Sequence, residues 1–323
     1  RMNRRDFVVA AATAPFLLRS GDALARLGGG TAYALVTADT EAHVAVVDLT
    51  TRKVVRRIPT LAGPRSIESD RRGRFAVVAH TAGGAVSIVD ASTLRVRSIL
   101  RAFSEPRYTA ISPDGRHAFV SDSKLGEVVT VDVAKARILG RVGVRGPARH
   151  LSLSPDGKTL WVSLGTKAEQ IVVLDVSTPA VPRVVRRFRP PFLAHDVGFE
   201  PDGHRVWVTS GDRGALARYT VSGRLLQRLA ADAAPQHVTF SGDRAYVTSG
   251  DDSSLHVHAL RNGRVLRSTT VPVGSYNVQD GWGFVFTPSL ERGTLCILDE
   301  RGRLLHQLRV AASSHDACFV MSR

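Results

Sequence analysis

His43-Val44-Ala45-Val46-Val47-Asp48 is a short β-branched run that ends on a turn-forming aspartate, and it recurs along the chain. Val86-Ser87-Ile88-Val89-Asp90, Val128-Val129-Thr130-Val131-Asp132 and Ile171-Val172-Val173-Leu174-Asp175 repeat it, with weaker copies at Leu216 to Thr220, Leu255 to Ala259 and Leu295 to Asp299. Their last residues stand 42, 42, 43, 45, 39 and 40 apart. A fixed period of roughly 40 residues marks units that bury their apolar faces by packing on one another. Each copy is followed by a turn and a further β-rich run, such as Lys53-Val54-Val55-Arg56-Arg57-Ile58.

A second strand precedes each copy, as in Phe75-Ala76-Val77-Val78, Leu160-Trp161-Val162-Ser163, Val206-Trp207-Val208-Thr209 and Ala245-Tyr246-Val247-Thr248. Short β-branched and aromatic strands at regular spacing argue for an all-β chain. Ser112-Pro113-Asp114-Gly115, Ser154-Pro155-Asp156-Gly157 and Glu200-Pro201-Asp202-Gly203 introduce three of them. Proline followed by Asp-Gly presets a tight turn, so these positions are structural. The same holds for Asp48, Asp90, Asp132 and Asp175, which recur once per unit at a turn.

Seven four-stranded units predict a seven-bladed β-propeller over residues 26–323, a closed ring with only short protected edges. The first unit begins at its second strand, near Thr31, and lacks an innermost one. The tail Ser314-His315-Asp316-Ala317-Cys318-Phe319-Val320 reads as an innermost strand with nothing after it. The C-terminal strand is therefore expected to complete the first blade and fasten a single domain.

Tyr246-Val247-Thr248-Ser249, Trp207-Val208-Thr209-Ser210 and the Ser-Pro-Asp-Gly turns resemble the YVTN-repeat β-propellers, over residues 30–323. The fourth motif letter, usually Asn, is Ser here. The resemblance implies the fold and an extracytoplasmic setting. It does not imply one activity, because propellers of this type include binding proteins, lactonases and redox-enzyme domains.

Residues 1–25 read as a leader. Arg4-Arg5 and Phe7 open an apolar run to Leu18, and Ala23-Leu24-Ala25 is a small-x-small cleavage site. The arginine pair resembles a twin-arginine export signal, which predicts a periplasmic or extracellular protein. The run is far shorter than the roughly 20 residues that span a bilayer as a helix, and no other apolar stretch approaches that length. Removing the leader takes away four Arg and two Asp and lowers the formal charge from +15 to +13. The charge argues weakly for nucleic acid, because Arg is scattered through all blades among Asp and Glu, with no aromatic-basic stripe. Cys296 and Cys318 lie in apolar strands and read as buried free thiols.

The innermost strands of a propeller line its channel. Aligned on Ile111, Leu153, Phe199, Phe240 and Phe319, they present two polar rings. Arg107, Arg149, His195, Gln236 and His315 form the first, and Tyr108, His150, Asp196, His237 and Asp316 follow in the second. Arg65-Ser66 and Tyr276-Asn277 supply the remaining blades. Four of the eleven histidines thus fall at this one structural position.

Three readings of the mouth stay open. Arg65, Arg107 and Arg149, with Tyr108, Gln236 and Asn277, suit a small anionic ligand. His150, His195, His237 and His315, with Asp196 and Asp316 as ligands or orienting groups, suit one divalent transition metal: copper, iron or zinc. The plainest reading is a wet polar mouth. No G-x-S-x-G, phosphate loop, C-x-x-C-H or zincin helix is present, and no nucleophile is visible. The sequence therefore favours a monomeric binding protein over an enzyme. A metal-dependent or lactonase-like hydrolase, and a scaffold for a protein or polyanion, are the alternatives. His256 and His258 share a strand face but lack an evident third ligand.

Overall fold

The computed structural model describes residues 30–323. The expected leader, residues 1–25, lies outside the described residues. These contain 28 strands in seven four-stranded antiparallel sheets, and each sheet is one blade. In chain order the blades occupy residues 31–59, 64–100, 106–143, 151–188, 197–230, 238–270 and 279–309. The chain is a seven-bladed β-propeller. No helix long and apolar enough to cross a membrane occurs among the described residues.

The final strand, Ala317–Ser322, pairs antiparallel with Thr31–Ala38 and becomes the innermost strand of blade one, with Ala34 opposite Phe319 and Leu35 opposite Cys318. The ring closes as the tail sequence predicts. Every blade carries one register shift between its third and fourth strands, at Val46/Val47, Ile88/Val89, Thr130/Val131, Val173/Leu174, Arg218/Tyr219, Val257/His258 and Ile297/Leu298. An extra residue at that point sharpens the right-handed twist, which turns each outer strand away from its neighbours.

The core is a set of apolar wedges between adjacent blades. Leu35, Val44 and Val46 of blade one meet Ile67, Ala76 and Val78 of blade two, with Cys318 and Val320 of the closing strand. Burying each such Val, Leu or Ile contributes about 1.5–3 kcal/mol. Trp161 fills the wedge between blades four and five against Phe199 and Tyr219. Cys296 and Cys318 are buried free thiols, as expected.

The turn aspartates play the structural part assigned to them. Asp48 Oδ1 accepts the amides of Thr50 and Thr51, and Asp175 Oδ1 that of Ser177. In the Ser-Pro-Asp-Gly turns, Ser112 Oγ donates to Asp114 Oδ1 and Gly115 takes φ 74°, a left-handed conformation that glycine adopts without strain.

The Thr or Ser of the second strand has a role that the repeat alone leaves unassigned. Thr209 Oγ1 accepts the Asp196 amide and donates to the Gln236 carbonyl of the next blade. Thr37 does the same between Asp316 and Arg65, and Ser121 between Tyr108 and Arg149. These hydroxyls stitch one innermost strand to the next and set the height at which the channel side chains stand.

Candidate functional site

The stitched strands place both rings around the channel, and aromatic members of both fill it. Tyr108 of blade three lies 4.2 Å, centroid to centroid, from His150 of blade four, 5.8 Å from His237 of blade six and 6.1 Å from His315 of the closing strand. His150 lies 4.4 Å from His195 of blade five and 4.8 Å from His237. Blades three and six, or three and one, are not neighbours, so such contacts are made only across the channel. Five rings from five blades therefore meet on its axis.

Within this layer His150, His195 and His237 form one cluster, with a potential ligand atom from each lying within 4.8 Å of the others. His315 stands beside Tyr108 but outside that triad. The three rings are held from behind. Thr166 O accepts from His195 Nδ1 at 2.9 Å, Asp196 Oδ2 lies 3.3 Å from His237 Nδ1, and Ser163 Oγ lies 3.5 Å from His150 Nδ1. A proton held on Nδ1 leaves the Nε2 lone pair free. His150 Nε2 is buried and has no hydrogen-bond partner. Burial, together with the neighbouring His195, His237 and Arg149, pushes His150 well below the usual imidazole range. Burial, then His237, lowers His195 to about 4. His150 and His195 are thereby held neutral at pH 7.

The donor set fits a transition metal, because neutral imidazole suits copper, zinc and iron. A tetrahedral ion with metal–nitrogen bonds of about 2.0–2.1 Å brings its ligand nitrogens to roughly 3.4 Å apart. To close on such an ion the rings would draw in by about 1.4 Å from the 4.8 Å limit. His315 is engaged elsewhere, with its Nδ1 at 3.0 Å from Arg65 O.

Asp196 and Asp316 occupy equivalent places and act alike. Asp196 accepts the amides of Val197 and, in the next blade, Val238; Asp316 accepts those of Ala317 and Ile67. Each carboxylate clasps two innermost strands, and Asp196 alone also reaches an imidazole of the triad. Gln236 is tied to Asp251 and Gly250, and Asn277 donates to the His315 carbonyl.

The three arginines are not equivalent. Arg65 pairs with Asp39 at 3.1 Å and Arg107 with Glu105 at 3.2 Å. All three leave a buried, unpartnered Nε, but Arg149, which is partly buried, differs in that among the described residues no side-chain hydrogen bond or ion pair engages its guanidinium. Burial, and then Arg107 and Arg65, work against its charge.

On the other side of the ring layer lies a cavity of about 600 Å³. Tyr108 and His237 contribute to its floor, and its walls include Glu68, Asp280 and Asp316. None of Arg65, Arg107 and Arg149 lines it. The layer thus separates a basic entrance from an acidic chamber. Burial, and then Asp316, push Glu68 up to about 8; burial raises Asp280 and Asp316 to about 6. Glu68 and Asp280 escape sequence reasoning, since they lie at strand positions without a repeated motif, whereas Asp316 already stands in the second ring.

The second histidine pair is held by local bonds, although His258 Nε2 is buried without a partner, and no third His, Cys or carboxylate joins the two in a cluster among the described residues. His256 bonds the hydroxyls of Ser254 and Ser268, and His258 Nδ1 meets Gly263 O. At the ends of second strands, Asp122 accepts the amides of Ser104, Glu105 and Leu125, and His80 bonds Leu61 O and Ser87.

The molecule is a seven-bladed propeller with a three-imidazole cluster on its axis. Neither a family model nor a curated protein sequence matches the chain. Solved structures do share the fold. Kuenenia stuttgartiensis hydrazine synthase matches 83% of this chain and 92% of its own at 18% identity, with a TM-score of 0.72. A functionally unknown protein from Desulfotomaculum acetoxidans DSM 771 matches 90% and 99% at 14% identity, TM-score 0.76. Dihydro-heme d1 dehydrogenase NirN, in complex with DHE, matches 86% of this chain and 63% of its own at 17% identity, TM-score 0.64. At these identities the likeness is one of fold.

Proposed function

We propose that the chain is an exported, YVTN-type propeller that holds one divalent transition metal at His150, His195 and His237 and offers it to a small anionic ligand at the channel mouth. The observation that carries this reading is His150 Nε2, a buried lone pair without a partner between two imidazoles held by their Nδ1 atoms. A buried polar atom left unsatisfied costs about 1–3 kcal/mol, a cost that a bound ion removes. Copper, zinc or iron held by three imidazoles keeps a position open for an outside ligand. Binding is favoured over hydrolysis because the nearest carboxylate, Asp196, is committed to two amides and His237. The clasped ring is complete within one chain, in keeping with a monomer.

The test is metal content. Protein from its native host, or apo-protein titrated with Cu²⁺ or Zn²⁺, should hold one ion per chain. His237→Ala should weaken binding at least as much as loss of a supporting residue does, about 10–100-fold. His256→Ala should leave it unchanged. A chain that takes up no ion, or one equally impaired by His256→Ala, overturns the proposal.

A further inference from the structure

We propose that Arg149 selects the ligand of this centre, and that the ligand is a small planar monoanion of the oxyanion class, bridging the Arg149 guanidinium and the open metal position. The inference rests on the metal reading given above. Three guanidiniums stand in the entrance ring, but only Asp39 and Glu105 answer them, at Arg65 and Arg107. One positive charge is left over, and it is that of Arg149. A partly buried cation without a counter-charge is costly, so the place is made for one negative charge.

Geometry narrows the class further. Arg149 directly precedes His150, its carbonyl accepts from Ser121 Oγ at 2.6 Å and its amide donates to Ser163 O at 3.0 Å, so the side chain starts from backbone fixed on both sides, just ahead of the strand Leu151–Leu153. Its Nε–H is unpartnered, and Nε–H with an adjacent Nη–H forms the flat fork that two oxygens of one planar anion accept together. A spherical halide offers a single acceptor centre to the two parallel N–H groups, so both contacts are bent away from the favoured linear geometry. None of the three arginines lines the chamber beyond the layer, so a ligand of Arg149 enters from the arginine side. Carboxylates such as formate and inorganic oxyanions such as nitrite share this chemistry.

The experiment uses the full mature chain loaded with Cu²⁺, with metal content fixed first by elemental analysis. Formate, nitrite and chloride are then titrated in separate arms while the visible absorption of the copper is followed. The wild type should bind one formate or one nitrite, the tighter arm naming the natural source, and should bind chloride more weakly than either. Arg149→Gln should keep its copper yet lose roughly tenfold or more in oxyanion affinity, the loss of a charge-assisted fork. Arg183→Gln, a surface control, should behave as wild type. Undiminished oxyanion binding by Arg149→Gln overturns the role of Arg149, and chloride binding as tight as formate and nitrite overturns the planar class. Both can fail while the copper stoichiometry stands, whereas absence of copper from the wild type is failure of the metal reading itself.

Discussion

Asp196 Oδ2 lies 3.3 Å from His237 Nδ1 and 3.1 Å from the Val238 amide nitrogen, so one carboxylate oxygen both orients an imidazole on the channel axis and fastens blade five to blade six. Asp316 makes the same clasp, to Ala317 and Ile67, without touching the triad. The pair separates structural from functional contributions. Asp196→Ala and Asp316→Ala should each leave two buried amides unpartnered and destabilise the fold by about 2–5 kcal/mol, read from denaturant midpoints. Only Asp196→Ala should also lower metal affinity, by about 10–100-fold, because it frees the ring of His237. Equal metal affinity in the two variants would remove Asp196 from the site.

Glu68 makes stability fall as pH rises. Its carboxyl ionises near 4.3 in an unfolded chain but is pushed up to about 8 in the folded one by burial and by Asp316. Between these values the native state holds a proton that the unfolded state has released. The contribution is therefore full below about pH 4.3 and is lost as pH rises towards about 8. Glu68→Gln, which cannot ionise, should gain on the wild type steadily between pH 5 and 8.5 in urea titrations. Parallel pH profiles for the two proteins would contradict this.

Export is proposed to depend on Arg4 and Arg5, outside the described residues. Replacing both with Lys should leave the purified fold unchanged by circular dichroism while the precursor accumulates in the cytoplasm. Normal appearance of the double variant in the periplasm or medium would remove the twin-arginine assignment.

Much of this could be read along the chain because the relevant forces are local. The recurring Val-x-Val-Asp strands and Ser-Pro-Asp-Gly turns specify strand, turn and period within a dozen residues, and a leftover innermost strand at Ala317–Ser322 has one vacant place to go. The alignment of inner strands also brings the right residues to one height. It does not say which of them meet. His195 belongs to the first ring, His150 and His237 to the second, yet these three converge, while His315 bonds the backbone of Arg65.

Gln236 and Asn277 show the same limit. Each occupies a ring position, and each is turned to a neighbouring loop or strand rather than held free. The three arginines, alike in sequence position, are told apart only by Asp39 and Glu105, which arrive from a second-strand end and an inter-blade loop.

The amino-acid sequence by itself determined the seven blades, their strand order and the ring closure, because period and alternation act between residues near in the chain or leave one pairing unfilled. The tertiary structure alone decided which side chains share the axis, which carboxylates are consumed as clasps, and that an imidazole layer divides a basic entrance from an acidic chamber. Those outcomes depend on the width of a closed channel and on the rotamers of residues up to hundreds of positions apart, such as Asp316 and Ile67. No local pattern encodes such distances until the ring has closed.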